Sequence, residues 1–285
     1  MASFLSVLFV LHALAFLAAY PLLVASQEVE DEKEFDYRKG SVKGPEHWGE
    51  LHKEWSNCSR GRMQSPIDLL NERVVVLPHL GRLRRTYMPA KGTIKNRGHD
   101  IMLKWESGAG AMYINGTEFF LRQLHWHSPS EHTINGRRYD LELHMVHQTE
   151  DNQTAVVGIL YKIGRQDTFL QQASDLLLLQ LSDEIKKVID KKEAEMEAGI
   201  LDPRGVKIGS RKYYRYLGSL TTPPCTEGVI WTISKKVRTV SREQVKLLKD
   251  AVHDNYEANA RPVQPANRRP IYFYTPRFNA YVPHV

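Results

Sequence analysis

Residues 118–148 read EFFLRQLHWHSPSEHTINGRRYDLELHMVHQ. Two strand-sized runs, Glu118–His127 and Leu141–Gln148, flank a turn in this stretch. Asn135-Gly136, set between Thr133-Ile134 and Arg137–Tyr139, is a strong hairpin signal, because both residues tolerate the positive φ of a two-residue turn. In a strand, residues i and i+2 point to one face. His125 and His127 therefore share a face with Gln123, and His144 shares one with Glu142.

The same texture extends outward. Short runs at Asp100–Trp105, Met112–Ile114, Ala155–Ile163, Tyr213–Tyr216, Gly228–Ser234 and Ile271–Tyr274 are strand-sized, with Gly, Asn and Asp between them. Two stretches are helical. Leu170, Ala173, Leu176, Leu177, Leu181, Ile185 and Val188 recur every three or four residues from Gln166 to about Ile189. Ser241-Arg242-Glu243-Gln244 resembles a capping box that opens a second helix ending near Ala251. This pattern predicts one β-dominated domain with a few helices packed outside. A chain of 285 residues that is 42% hydrophobic supplies one sizeable core.

The N-terminus has a different character. Phe4 to Ala25 is apolar and uncharged, and small residues at Val24 and Ser26 suit signal-peptide cleavage near Ser26–Gln27. Residues 1–26 are therefore read as a signal peptide, with a retained signal anchor as the rival, since the run is long enough to span a bilayer. Residues 27–36, QEVEDEKEFD, read as a flexible acidic lead-in. Sequons at Asn57, Asn115 and Asn152 fit a secretory route. So do Cys58 and Cys225, the only cysteines; an even pair in an oxidising compartment usually joins, two free thiols being the alternative. The net charge of +6 is scattered, densest at Arg82, Arg84 and Arg85, with no basic stripe interleaved with aromatics. No nucleic-acid partner is expected.

The histidines carry the chemistry. An H-x-H on a strand offers two imidazoles to one ion, and His144 on the companion strand offers a third. Three neutral histidines leave the fourth tetrahedral position of zinc open to water, the arrangement of a catalytic site. Metal-bound imidazoles need an acceptor on the other ring nitrogen. Gln123 and Glu142 stand where such acceptors belong, and inward polar groups of this kind are costly without a task.

At this point the chain resembles the α-class carbonic anhydrases, and the plant and bacterial branch in particular. The resemblance rests on Gln123-Leu-His125-Trp-His127, Ser130-Glu131-His132-Thr133, Glu142-Leu-His144-Met-Val-His147, Gly44-Pro-Glu-His-Trp-Gly49, Gln64-Ser-Pro-Ile-Asp68, Asn96-Arg-Gly-His99 and Gly218-Ser-Leu-Thr-Thr-Pro-Pro224. Order and spacing match from about residue 37 to 275. The resemblance implies an α+β domain over 37–285, built on a large central twisted, mostly antiparallel β-sheet with peripheral helices. It implies Zn2+ on His125, His127 and His144, and acceptors at Gln123, Glu142 and the Asn259 carbonyl. Thr221 would donate to Glu131 and orient zinc-bound hydroxide toward carbon dioxide. Val146, Val156, Leu220, Val229 and Trp231, with Thr222 beside them, would form the substrate pocket. His99 matches the proton shuttle, and Cys58 and Cys225 match the disulfide of secreted members.

The activity so implied is reversible hydration of carbon dioxide to bicarbonate and a proton. A non-enzymatic storage, defence or binding protein on the same scaffold is the alternative, and esterase chemistry is a third reading. The expected partner is a small molecule, with no stable membrane anchor after signal cleavage. The expected location is the apoplast or extracellular space, or a plastid reached through the secretory route.

Overall fold

A computed structural model describes residues 34–171, 181–189, 194–208, 211–252 and 256–276. The signal-peptide reading, most of the acidic lead-in and the middle of the first helical stretch lie outside the described residues. In chain order the first strands are β1 (Asp68–Leu69), β2 (Val74–Val76), β3 (Arg84–Arg85), β4 (Ala90–Asn96) and β5 (Ile101–Lys104). The middle ones are β6 (Ala111–Ile114), β7 (Thr117–His127), β8 (Thr133–Ile134), β9 (Leu141–Gln148) and β10 (Thr154–Ile163). The last are β11 (Glu195–Leu201), β12 (Tyr213–Ser219), β13 (Glu227–Ser234), β14 (Arg238–Val240) and β15 (Ile271–Tyr274).

Among the described residues, thirteen strands form one mixed sheet whose main path runs β11-β4-β5-β7-β9-β10-β13-β12-β15-β2. Most pairings are antiparallel; β10 pairs parallel with β13 and β14, and β15 pairs parallel with β2. The single-domain, strand-dominated fold is as the sequence predicts. The hairpin is reduced in form. Asn135 and Gly136 do take positive φ, but only one antiparallel bridge, Ile134 to Arg137, follows, and Thr133–Ile134 pairs instead with β1. Arg137–Tyr139 is not a strand. The edge strand β11 escapes the sequence reading because EMEAGIL carries charges and a glycine and shifts register between Glu197 and Ile200. Those are devices that keep an edge from pairing with another chain.

The strands at the sheet centre sort their side chains by alternation. Leu141, Leu143 and Met145 of β9 enter the larger core with Leu124, Trp126, Val157 and Ile159. The helix Leu181–Val188 contributes Ile185 and Val188 to that core, and the helix Arg242–Ala251 contributes Val245, Leu248 and Ala251. Ser241 caps the latter helix in a full capping box with Gln244, satisfying two backbone N–H groups at its start. The opposite sheet face, with Val146, Val156, Val229 and Trp231, packs on Ile67, Leu69 and Leu220.

One irregularity decides which face β7 presents. Register shifts between Leu121 and Gln123, so the strand carries one extra residue. Phe119 and Leu121 before the bulge, and Leu124 and Trp126 after it, all reach the same core. The bulge thereby turns Gln123, His125 and His127 to the other face, although they share odd numbering with Phe119 and Leu121.

A third cluster joins the chain's start to the site. Phe35, Tyr37, Trp48 and Trp55 pack with the disulfide Cys58–Cys225. Phe35 and Asp36 are buried, so the flexible lead-in expected through residue 36 ends earlier: the phenyl ring edges onto Trp48 and Trp55, and Asp36 accepts from Ser41 and Arg38.

Candidate metal centre

His125 and His127 project from β7 and His144 from β9, where His125 and His144 are register partners. All three are buried, and one nitrogen of each lies within 4.8 Å of the others. The remaining nitrogens meet acceptors. His125 Nδ1 lies 2.8 Å from Gln123 Oε1, His127 Nδ1 2.8 Å from the Asn259 carbonyl, and His144 Nε2 2.9 Å from Glu142 Oε1. Because these oxygens accept, each ring nitrogen donates, which turns the lone pairs of His125 Nε2, His127 Nε2 and His144 Nδ1 toward a common point.

The acceptors are themselves held. Asn259 Nδ2 donates to the carbonyls of His99 and Trp126, and its Oδ1 accepts from Ser128 N–H. Glu142 Oε2 accepts from the backbone N–H groups of Glu131 and His132, and Oε1 from His132 Nδ1 at 2.7 Å. His132 Nε2 accepts in turn from the Tyr216 hydroxyl, which contacts Ser65 Oγ at 2.8 Å. Burial pushes the Glu142 carboxyl up, but His132 and His144 outweigh it and hold it well below the usual carboxylate range.

Several of these supports were not singled out by the sequence reading. Tyr216 anchors His132. Gly158 lies opposite His144, and a Cβ there would come within 2.9 Å of Glu142 Oε1 and 2.5 Å of Ile233 Cδ1. A lone glycine in an apolar strand run was the available signal. Arg261 is buried; its backbone N–H donates to Glu131 Oε1, and its guanidinium donates to Gln64 Oε1 and to the carbonyls of Ser65 and Cys58.

Two expected arrangements differ. Glu131 Oε2 makes no hydrogen bond, so the expected Thr221-to-Glu131 bond is absent among the described residues. The carboxylate oxygen faces the imidazoles instead, 3.7 Å from His127 Nε2 and 4.0 Å from His144 Nδ1. His99, expected to shuttle protons to solvent, is fully buried. Its ring lies 5.3 Å from that of Phe35, and Nε2 lies 3.8 Å from Asp100. The aromatic ring against it, Phe35, belongs to the stretch 27–36 that the sequence predicts to be a flexible lead-in.

The expected pocket residues do come together. Val146 is paired with Val156 and Val156 with Trp231, three adjacent strands beside the triad. The Trp231 ring lies 4.8 Å from His144. Leu220 and Val229 join this wall, and Thr221 and Thr222 follow directly on Leu220, all buried. The disulfide ties Cys225, three residues beyond Thr222, to Cys58. Asn57, Asn115 and Asn152 are exposed, as glycosylation would require.

The donor set fits zinc. Three neutral nitrogen ligands converge, and His127 Nε2 and Glu131 Oε2 are buried polar atoms without a hydrogen-bond partner. The local field favours a cation. Burial lowers the His127 pKa, but Glu131, the Asn259 carbonyl, Asp100 and Glu142 together leave it raised. A sequence model of the eukaryotic-type carbonic anhydrases matches residues 43–275, most of the chain. The chain belongs to this family. It is 60% identical over 249 residues to alpha carbonic anhydrase 7 of Arabidopsis thaliana, covering 87% of this chain and 88% of that protein. A dioscorin solved in complex with ascorbate is 45% identical with a TM-score of 0.81, covering 86% of this chain and 99% of the dioscorin. The α-carbonic anhydrase of Thermovibrio ammonificans, solved with the inhibitor sulfanilamide, is 33% identical with a TM-score of 0.73, covering 84% and 98%. The family places the triad on a carbonic anhydrase scaffold, whose members include both named enzymes and dioscorins.

Proposed function

We propose that this protein hydrates carbon dioxide reversibly, using zinc held by His125, His127 and His144. The observation that carries this reading is the three-imidazole cluster, every outer nitrogen anchored, set against an apolar wall. Zinc bound there would act as a Lewis acid that brings the pKa of a coordinated water near 7, as is known for three-histidine enzymes of this family. The protein's own groups do the rest. Gln123, Asn259 and Glu142 fix ring orientation and tautomer. Val146, Val156, Leu220, Val229 and Trp231 receive a small apolar substrate, which has no polar groups to satisfy there. Thr221 would accept a hydrogen bond from the attacking oxygen while its own hydroxyl donates to Glu131, an acceptor-only group; this requires Glu131 Oε2 to turn from the imidazoles to the threonine. His99 carries the released proton outward, which requires Phe35 to yield.

The exposed sequons and the disulfide support passage through the secretory route, toward the apoplast or a plastid, with residues 1–26 removed as a signal peptide. No helix among the described residues is long and apolar enough to cross a membrane.

Metal analysis and a carbon dioxide hydration assay on the mature protein test the proposal together. One zinc per chain, with rapid hydration blocked by a sulfonamide, is the expected result. Hydration absent from zinc-loaded protein would overturn it. The likeness to a dioscorin solved with ascorbate favours a second reading, a binding protein on the same scaffold. That reading predicts saturable ligand binding without hydration.

A further inference from the structure

The densest basic cluster in the sequence plays no part in the metal centre, and it borders a cavity on the reverse of the same sheet. Val157 and Thr232 are register neighbours, as are Val156 and Trp231 of the apolar wall one residue earlier. Alternation therefore sends Val157 and Thr232 to the face away from the histidines. A cavity of about 160 Å³ opens there, lined by Arg82, Arg85 and Arg211 together with Tyr213 and Thr232. None of its lining residues is acidic.

A fourth arginine, Arg215, lies behind two of the lining residues, Tyr213 and Thr232. Arg215 is only 8% exposed. Its Nε donates to Thr232 Oγ1 at 2.8 Å, and its guanidinium stacks over the Tyr213 ring at 5.2 Å. Both contacts are with lining residues. Burial lowers the Arg215 pKa, yet an arginine keeps its proton. Among the described residues, no carboxylate lies within ion-pair distance of Arg215, Arg82, Arg85 or Arg211. A buried charge without a counter-charge is costly. The contrast within this molecule is plain: Arg97, also buried, forms a two-bond pair with Asp100. Thr232 Oγ1 already accepts from Arg215, which leaves its hydroxyl hydrogen to donate.

We infer that this cavity binds a phosphate-type oxyanion, held by Arg82, Arg85 and Arg211, whose charge also offsets that of Arg215 behind Thr232. Planar guanidinium forks suit tetrahedral oxyanions, which can accept several charge-assisted hydrogen bonds at once. The site is separate from the metal centre, so it would operate whether or not hydration is the main activity.

The test uses inorganic phosphate, titrated at constant ionic strength into the zinc-loaded protein and followed by calorimetry and by the backbone amide resonances of Tyr213 and Thr232. One saturating site per chain is expected, with sulfate competing and chloride not. The triple variant R82Q/R85Q/R211Q should bind at least about tenfold more weakly while retaining parent thermal stability without phosphate. These positions are surface arginines, so the variant keeps the core intact. A second triple variant, K39Q/K53Q/K162Q, removes the same charge from exposed positions elsewhere and should bind as the parent does. Absence of saturation, shifts confined to residues near the histidines, or equal weakening in both variants would each overturn the site.

Discussion

His125, His127 and His144 can be set against His99, because all four are buried imidazoles on neighbouring strands and loops with very different surroundings. Each ring of the triad has its outer nitrogen fixed by an oxygen, and Asn259 and Glu142, which supply two of these oxygens, are held in turn. His99 sits beside an aromatic ring from the chain's start and 3.8 Å from Asp100, itself paired with Arg97. The first arrangement suits ligands, whose lone pairs must not wander. The second suits a group whose access to water is controlled by a neighbour. The lesson is that burial alone does not assign a histidine; what holds its second nitrogen, and what covers it, does.

The largest expected effect breaks the triad. His127→Ala removes the ligand whose support comes from the far Asn259 carbonyl. Zinc should fall well below one per chain, and hydration to that of the metal-free protein. Retention of stoichiometric zinc would assign the metal elsewhere, the group His132, Glu142 and His144 being the other candidate among the described residues. Next comes the support itself. Gln123→Ala leaves the three ligands but frees His125 Nδ1, and zinc affinity should fall about 10- to 100-fold. Competition with a chelating dye measures this; an unchanged affinity would mean that the anchoring is decorative.

Much of this comparison was legible in the sequence. The H-x-H spacing, Gln123 two residues before His125 and Glu142 two residues before His144 put ligand and acceptor on one face by strand alternation alone. The wall residues came through the family resemblance, the cysteine pair through the even count in an oxidising compartment as well, and the structure brings each set together. The illegible parts share a cause: they depend on contacts between distant segments or on local breaks in periodicity. The extra residue near Arg122 inverts the facing of β7, and no composition signal marks it. Phe35 reads as the end of a charged, aperiodic run and is buried only because Trp48 and Trp55 come back to meet it. The orientation of Glu131 toward the imidazoles rather than Thr221 is a rotamer choice, which sequence does not encode.

His99 gives a smaller effect confined to proton transfer. His99→Ala should lower kcat in weak buffer by about 10²-fold, the lower end of general acid–base effects, with kcat/KM nearly unchanged. Added imidazole should restore the rate. A variant that turns over like the parent would make His99 a packing residue beneath Phe35 and dissolve the contrast drawn above.

Another buried imidazole sharpens the comparison from the other side of β9. His147 lies three residues beyond His144, so its ring points to the opposite face. Its Nδ1 donates to the Ala155 carbonyl at 3.2 Å, and its Nε2 accepts from the Tyr87 hydroxyl at 2.6 Å. Both bonds suit the neutral ring, and no carboxylate among the described residues favours the charged one. Burial pushes its pKa down from 6.5 to about 4. With the folded value below the unfolded one, the unfolded chain takes up the proton first as pH falls. Stability should therefore drop progressively below pH 6.5 and level off near pH 4, by about 3 kcal/mol at 1.36 kcal/mol per pKa unit. Replacing the ring by an uncharged amide, His147→Gln, should remove that part of the slope in denaturant unfolding measured from pH 7 to pH 4. A variant with the parent's slope would show that the loss belongs to the carboxylates alone and that His147 protonates in place.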